Sequence, residues 1–225
     1  MTIDKMINEI INEVRYTHSL TGKKKLNDNV MKVMANTPRE LFVPEYLRDL
    51  AFENGPLPIG HGQSISQPYI VALMTDILEL QVDHTVLEIG TGSGYQAAIL
   101  SSLCKKVYTV ERINELNVIS KKRFKELGYD NIETRVGNGY EGWKEHAPYD
   151  RIIVTAAAQH IPAPLIKQLK PGGRLVLPIG HMSLHQELIV VNKDHNNKIT
   201  TQSILGVSFV PLINDPVRKH GVTIH

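Results

Sequence analysis

Apolar residues in the first part of the chain recur with a helical period. Ile3, Met6, Ile7, Ile10, Ile11 and Val14 fall at offsets 0, 3, 4, 7, 8 and 11, which is one face of a helix. Thr37, Pro38 and Glu40 read as a capping box with proline at the first helical position, so residues 1–50 are expected to be helical. The stretch Glu53–Gln67 is rich in Gly and Pro and reads as a long functional loop. After residue 84 the pattern changes to short β-rich runs alternating with helical ones. Strands are expected at Thr85–Ile89, Lys106–Val110, Ile132–Val136, Arg151–Thr155 and Arg174–Leu177. Helices are expected at Gly94–Cys104, Ile113–Leu127 (closed by Gly128) and Pro164–Leu169, with Lys170–Gly173 as a turn. Leu188–Val191 and Lys198–Leu205, around the polar stretch Asn192–Asn197, read as a late antiparallel hairpin. This alternation predicts an α/β fold: a doubly wound, mostly parallel, Rossmann-like sheet with helices on both faces and N-terminal helices added. One domain over residues 1–225 is expected, with its sheet core at 85–213.

Composition narrows the function classes. Of 225 residues, 42% are hydrophobic and 21% charged, which excludes wholesale disorder. Twenty-five basic against 23 acidic residues give +2, too even for a nucleic-acid surface. The single cysteine, Cys104, excludes an internal disulfide and a cysteine-based zinc site, and reads as a small core residue. No run of about 18 apolar residues exists, and the N-terminus lacks a secretory apolar core, so a cytoplasmic protein without membrane partners is expected. We also expect a monomer. Lys23, Lys24 and Lys25 read as a solvated turn. His181 and His185 stand four apart near Glu187, but Pro178 and Gly180 precede them, so they read as a surface loop and no metal site is assigned. Trp143 reads as packing.

The sharpest local feature is VLEIGTGSGYQAAIL, Val86 to Leu100. A strand runs into Gly90-Thr91-Gly92-Ser93-Gly94 and a helix follows, so backbone can approach a ligand at a helix N-terminus. Glu111 ends the next strand, 21 residues after Gly90, where an acid can accept from both ribose hydroxyls. Turn and acid together read as a nucleoside site. The spacing is G-x-G-x-G rather than the dinucleotide G-x-G-x-x-G. Glu88 precedes the turn, and its negative charge opposes a pyrophosphate and suits a cationic ligand such as S-adenosylmethionine. A ligand-free turn and a nicotinamide dinucleotide site stand as alternatives.

Two further segments are candidates. In Arg135-Val136-Gly137-Asn138-Gly139-Tyr140, Asn138 can accept from an adenine amino group, although a plain Asn-Gly turn would look the same. In Pro58–Pro68, the polar groups of His61, Gln63, Ser64 and Ser66 suit a carboxylate. There Ser66 also reads as the N-cap of a helix starting at Pro68.

From Val30 to Leu212 the sequence resembles the protein-L-isoaspartate (D-aspartate) O-methyltransferase family. The resemblance is carried by LPIGHGQSISQPYIVALMT (Leu57–Thr75), then VLEIGTGSGYQAAIL, VERI, APYDRIIVTAA, LKPGGRLVLPIG and FVPL in family order. It implies methyl transfer from S-adenosylmethionine to the carboxylate of L-isoaspartyl residues in damaged proteins and peptides, with D-aspartyl residues left open as a second acceptor, leaving S-adenosylhomocysteine. The ester then closes to a succinimide that reopens partly as normal aspartate. The family's active-site serine falls on Ser66. Its cofactor positions fall on Ser64, Glu88, Gly90, Gly92, Gly94, Glu111, Asn138 and Gly139. His61, Ser66 and Val210 are taken as substrate-facing, with Phe209–Leu212 either pairing with peptide backbone or serving as an ordinary core strand. Ser64 stands where the family commonly has Thr, which keeps the hydroxyl.

A carboxylate with a reference pKa of about 3.9 is already ionised at neutral pH, so the reaction needs no general base. A cation and an anion combine to neutral products, which a dry, aligned site accelerates. Ser66 is therefore read as a hydrogen-bonding residue that orients the acceptor, not as a nucleophile. Asn138 departs from the family's Asp, keeping an acceptor and losing a charge. Asn138→Asp is expected to retain or tighten S-adenosylhomocysteine binding, as read by calorimetry; a large rise in the dissociation constant would contradict the adenine assignment.

Overall fold

The computed structural model describes residues 2–181 and 185–214. Helix α1 (Ile3–Tyr16) starts at Thr2, whose side chain accepts from the Lys5 amide, and it buries Met6, Ile10 and Val14. Ile11, at the edge of the expected stripe, is 37% exposed. A single turn, α2 (His18–Thr21), ends at left-handed Gly22. Helix α3 (Asp28–Asn36) is capped by Asn27. The expected capping box is not formed. Thr37 closes α3 instead: its hydroxyl donates back to the Val33 carbonyl at 2.9 Å. Its backbone is extended, as a residue before proline prefers. Arg39–Phe42 and Glu45–Leu50 are 3-10 turns without side-chain caps. Lys23 is not merely solvated, since its Nζ lies 2.7 Å from buried Asp76.

The expected loop at 53–67 contains a small hairpin. Strands β1 (Leu57–Gly60) and β2 (Gln63–Ile65) pair antiparallel, with His61 and Gly62 at the tip in the left-handed region. Helix α4 (Pro68–Ile77) follows, with Gln67 rather than Ser66 at its N-cap and no side-chain cap bond. The Tyr69 amide, one of the donors a cap would satisfy, is taken by Asn54 Oδ1 at 3.1 Å. The Ser66 hydroxyl is thus left out of the helix end.

Next come β3 (Thr85–Ile89), α5 (Tyr95–Ser101), β4 (Lys106–Glu111), α6 (Asn114–Glu126), β5 (Ile132–Val136), β6 (Tyr149–Val154), α7 (Ala163–Gln168), β7 (Leu169–Gly180), β8 (Gln186–Lys193) and β9 (Ile199–Val207). The expected helices at Gly94–Cys104 and Ile113–Leu127 shrink by one to three residues at their ends, and the one at Pro164–Leu169 starts and ends one residue earlier. The sheet order is β5-β4-β3-β6-β7-β8-β9, parallel from β5 to β7 and antiparallel from β7 to β9. The expected turn at Lys170–Gly173 is an irregularity inside β7. Tyr149 pairs with Leu169 and Arg151 with Arg174, so the extra residues bulge out where Pro171 has no amide and Gly172 is left-handed.

The sheet separates two apolar layers. Val86, Val107, Ile153 and Val176 face a core that includes residues of α1, α3, α4 and α5. Leu87, Ile89, Val110, Ile152 and Val154 face the other, with Trp143 and Leu165. Trp143 packs edge-on to Tyr108 at 5.4 Å, and Cys104 is buried, both as expected. Helix α1 therefore belongs to the main core. Ile10→Ala is expected to cost about 3 kcal/mol, seen as a lower urea midpoint with an unchanged slope.

Candidate functional site

The site forms where the strand order reverses, at the carboxyl end of β3, with β4 on one side and β6 on the other. Gly90 and Gly94 both have positive φ, at 96° and 88°. A Cβ at Gly90 would lie 2.5 Å from Thr155 Oγ1, and one at Gly94 would lie 2.6 Å from the Phe124 ring. Packing against the end of β6 and against α6 therefore demands glycine at each end of the turn. The Thr155 hydroxyl reaches the Ile89 and Gly90 carbonyls at 3.0 and 2.7 Å.

Buried Glu111 joins the turn to β4. Its Oε2 accepts from the Gly92 amide at 2.8 Å and its Oε1 from the Ile113 amide at 2.9 Å. A carboxylate has about four acceptor positions, so capacity remains for ligand hydroxyls. Gly90, Gly92 and Glu111 line a cavity of about 250 Å³ whose apolar wall includes Ile89, Val110 and Leu212. Glycine backbone, an acid and apolar side chains are the donor set that a nucleoside fits.

Glu88 differs from expectation. It is fully buried on the face of β3 shared with Val86, and is not among the residues lining the cavity. Its Oε2 accepts from Thr109 Oγ1 at 2.5 Å, while Oε1 has no hydrogen-bond partner. Desolvation, reinforced by nearby Glu111, raises its pKa to about 8, so the carboxyl is largely protonated at neutral pH rather than a fixed negative charge. It communicates with the cavity through hydroxyls: Thr109 shares a 2.6 Å hydrogen bond with cavity-lining Thr91.

The β1–β2 hairpin supplies the opposite wall. His61, Ser64 and Ser66 line the first cavity, His61 at the exposed tip. A second cavity of about 490 Å³ adjoins it, and the two share Ser64, Ser66, Thr155 and Val210. The segment carrying Val210 is neither a core strand nor a free edge. The Val210 carbonyl accepts from Ala157 N at 2.8 Å, and Leu212 N donates to Ala157 O at 2.7 Å. Pro211 between them has no amide to offer. Gln186 meanwhile brackets the Phe209 backbone, accepting from its amide at 2.7 Å and donating to its carbonyl at 3.1 Å.

Gly139 lines the first cavity, where a Cβ would collide with Ile89. The Asn138 side chain is engaged locally. Its Oδ1 accepts from Tyr140 N, capping the 3-10 turn Gly139–Glu141, and its Nδ2 donates to Asn214 Oδ1, each at 3.1 Å. Residues that sequence reasoning missed include Thr91, Tyr95, Gln96 and Thr155. Thr155 was within reach, because strand ends in such a sheet face the crevice. Exposed His181 and His185 form no metal cluster; His185 pairs with Glu187 at 3.4 Å, and among the described residues no group of three such ligands occurs.

A doubly wound sheet whose first βα turn is glycine-rich and tied to an acid at the next strand end defines a nucleoside-binding α/β fold, the fold that S-adenosylmethionine-dependent methyltransferases use. The model of the family "Protein-L-isoaspartate(D-aspartate) O-methyltransferase" matches residues 11–216. The chain is 54% identical to "Protein-L-isoaspartate O-methyltransferase 2" of Polaromonas sp., covering 92% of this chain and 98% of that one. It is also 54% identical to the protein of the same name from Syntrophobacter fumaroxidans, over 92% and 84%. A solved structure titled protein-L-isoaspartate O-methyltransferase superposes with a TM-score of 0.80 at 28% identity, covering 93% of this chain and 65% of that one. The chain belongs to the protein-L-isoaspartate (D-aspartate) O-methyltransferase family.

The titration of Glu88 has a measurable consequence. The unfolded carboxyl titrates near 4.5 and the folded one near 8, so the folded state holds an extra proton between these values. The Glu88 contribution is complete below the lower value and declines as pH rises toward 8. Glu88→Gln, which keeps an acceptor for Thr109, is expected to lose that decline. Melting temperatures of both proteins from pH 4 to 8.5 check it, and parallel curves would contradict the assignment.

Proposed function

We propose that the chain methylates the free carboxylate of L-isoaspartyl residues in damaged proteins and peptides, using S-adenosylmethionine. The ester so formed closes to a succinimide, which begins repair. The observation that carries the reading is the meeting of the two cavities at Ser64, Ser66, Thr155 and Val210. One cavity has the lining of a nucleoside site. The other opens toward Glu13, Tyr69 and Phe209, with room for a peptide segment.

When bound, S-adenosylmethionine supplies a methyl group carried on a sulfonium. Glu111 would receive the ribose hydroxyls, Gly90 and Gly92 would let backbone approach the ligand, and Ile89, Val110 and Leu212 would flank the base. Ser64 and Gly139 line the same cavity. Glu88 stands behind the cavity wall, joined to it by the hydroxyls of Thr109 and Thr91, and would act on the ligand's charge only through them. On the acceptor side, the Ser66 hydroxyl, left out of the helix cap, would hold the carboxylate on its line of attack. His61 and the hairpin wall would limit water, which strengthens every electrostatic contact inside.

We further read the enzyme as a one-domain cytoplasmic monomer. No helix among the described residues is long and apolar enough to cross a membrane.

The test is methyl incorporation into an isoaspartyl peptide, with its normal aspartyl twin as control and a D-aspartyl version alongside. Strong labelling of the isoaspartyl peptide and none of the twin is expected; equal labelling would refute the substrate assignment. Ser66→Ala is expected to lower kcat by at least about tenfold, roughly the worth of a hydrogen bond to a charged group, with the melting temperature preserved. An unchanged kcat would remove the role of Ser66.

A further inference from the structure

Arg39 is wholly buried, with no part of the residue exposed. From the 3-10 turn after α3 it reaches two carbonyls. Nε donates to Ala51 O and Nη2 to Ser66 O, each at 2.8 Å. These carbonyls lie at either end of the segment carrying the β1–β2 hairpin, so one planar fork fixes both ends of the wall that faces the crevice. The guanidinium also lies over the ring of cavity-lining Tyr95, 4.8 Å from its centroid. Nη1 is buried without a hydrogen-bond partner within 3.5 Å, and the nearby Tyr95 hydroxyl favours the charged form. Among the described residues, no carboxylate ion pair to Arg39 forms within 4.0 Å. Burial lowers its pKa to about 10, so it remains charged at neutral pH.

A buried cation without an anion is a costly arrangement. Bracing two neutral carbonyls does not require a full charge. The charge has a use if an anion enters nearby, and the acceptor of this reaction is an anion held at the residue whose carbonyl Arg39 grips. We propose that Arg39 is a positioning residue of methyl transfer: it holds the Ser66 carbonyl so that the Ser66 hydroxyl faces the acceptor, and its unpaired charge favours an ionised acceptor over a neutral one. The proposal rests on the reading of Ser66 given above.

The test compares Arg39→Lys, which keeps the charge and loses the fork, with Arg39→Met, which loses both. Each is assayed for kcat and KM on the isoaspartyl peptide, and for inhibition by the same β-linked peptide with a carboxamide in place of the acceptor carboxylate. S-adenosylhomocysteine affinity is measured by calorimetry, and the melting temperature is recorded. Both variants are expected to lose at least about tenfold in kcat, the scale of a charged hydrogen bond, with S-adenosylhomocysteine affinity within about threefold of the original. The preference for acid over amide is expected to collapse in Arg39→Met and to survive in Arg39→Lys. The proposal is overturned if kcat stays within about twofold in both variants, or if the acid preference is the same in both. It is also overturned if cofactor-product affinity falls in step with kcat, or if neither variant folds, since Arg39 would then serve the fold alone. Ser66→Ala in the same series separates the two readings. Normal turnover there removes the Ser66 role and this proposal with it. A slow Ser66→Ala beside normal Arg39 variants overturns only the assignment of Arg39.

Discussion

The hydrogen bond from the Gly92 amide to the Glu111 carboxylate ties the turn after β3 to the end of β4. The crevice is arranged around that tie. It holds the glycine turn open on the side away from Thr155, which grips the same turn from β6 through the Ile89 and Gly90 carbonyls. Two neighbouring strands thus fix one loop from both sides. The β1–β2 hairpin closes over it with Ser64 and Ser66 inward.

Besides Glu111 in the crevice wall, two buried ionisable side chains, Glu88 and Arg39, shape the electrostatics around it. Glu88 lies under the glycine turn and is largely neutral at pH 7 because desolvation outweighs its bond from Thr109. Arg39 lies behind the hairpin and remains charged, because even a pKa lowered to about 10 leaves it protonated. With donor and acceptor seated as proposed, an acid that can become negative stands on the donor side and a standing positive charge on the acceptor side. That polarity matches a reaction between a cation and an anion, and little reorganisation is needed as charge disappears.

Much of the frame was legible in the chain. The apolar stripe of α1 and the strand runs of β3 to β6 were visible because burial on one or both faces writes a period into the sequence. Gly90, Gly92, Gly94 and Glu111 were visible as a motif because their spacing mirrors one strand, one turn and one helix. The β1–β2 hairpin was hidden, since Leu57-Pro58-Ile59-Gly60 has no alternation long enough to register. Ser66 looked like a cap, but Asn54 supplies the acceptor for Tyr69. Thr37 looked like a helix start and is a helix end, because its hydroxyl bonds backward to Val33.

The sequence by itself determined the order of elements, the glycine turn with its acid, and the family to which the chain belongs, because local periodicity and motif spacing are written in consecutive residues. Tertiary structure alone decided that Glu88 is buried and mostly neutral, that the Val210 carbonyl is already taken by Ala157, and that Arg39 is an interior cation gripping Ser66. Those properties depend on which groups lose water and which distant partners reach them. Desolvation and long-range hydrogen bonds leave no period in the chain.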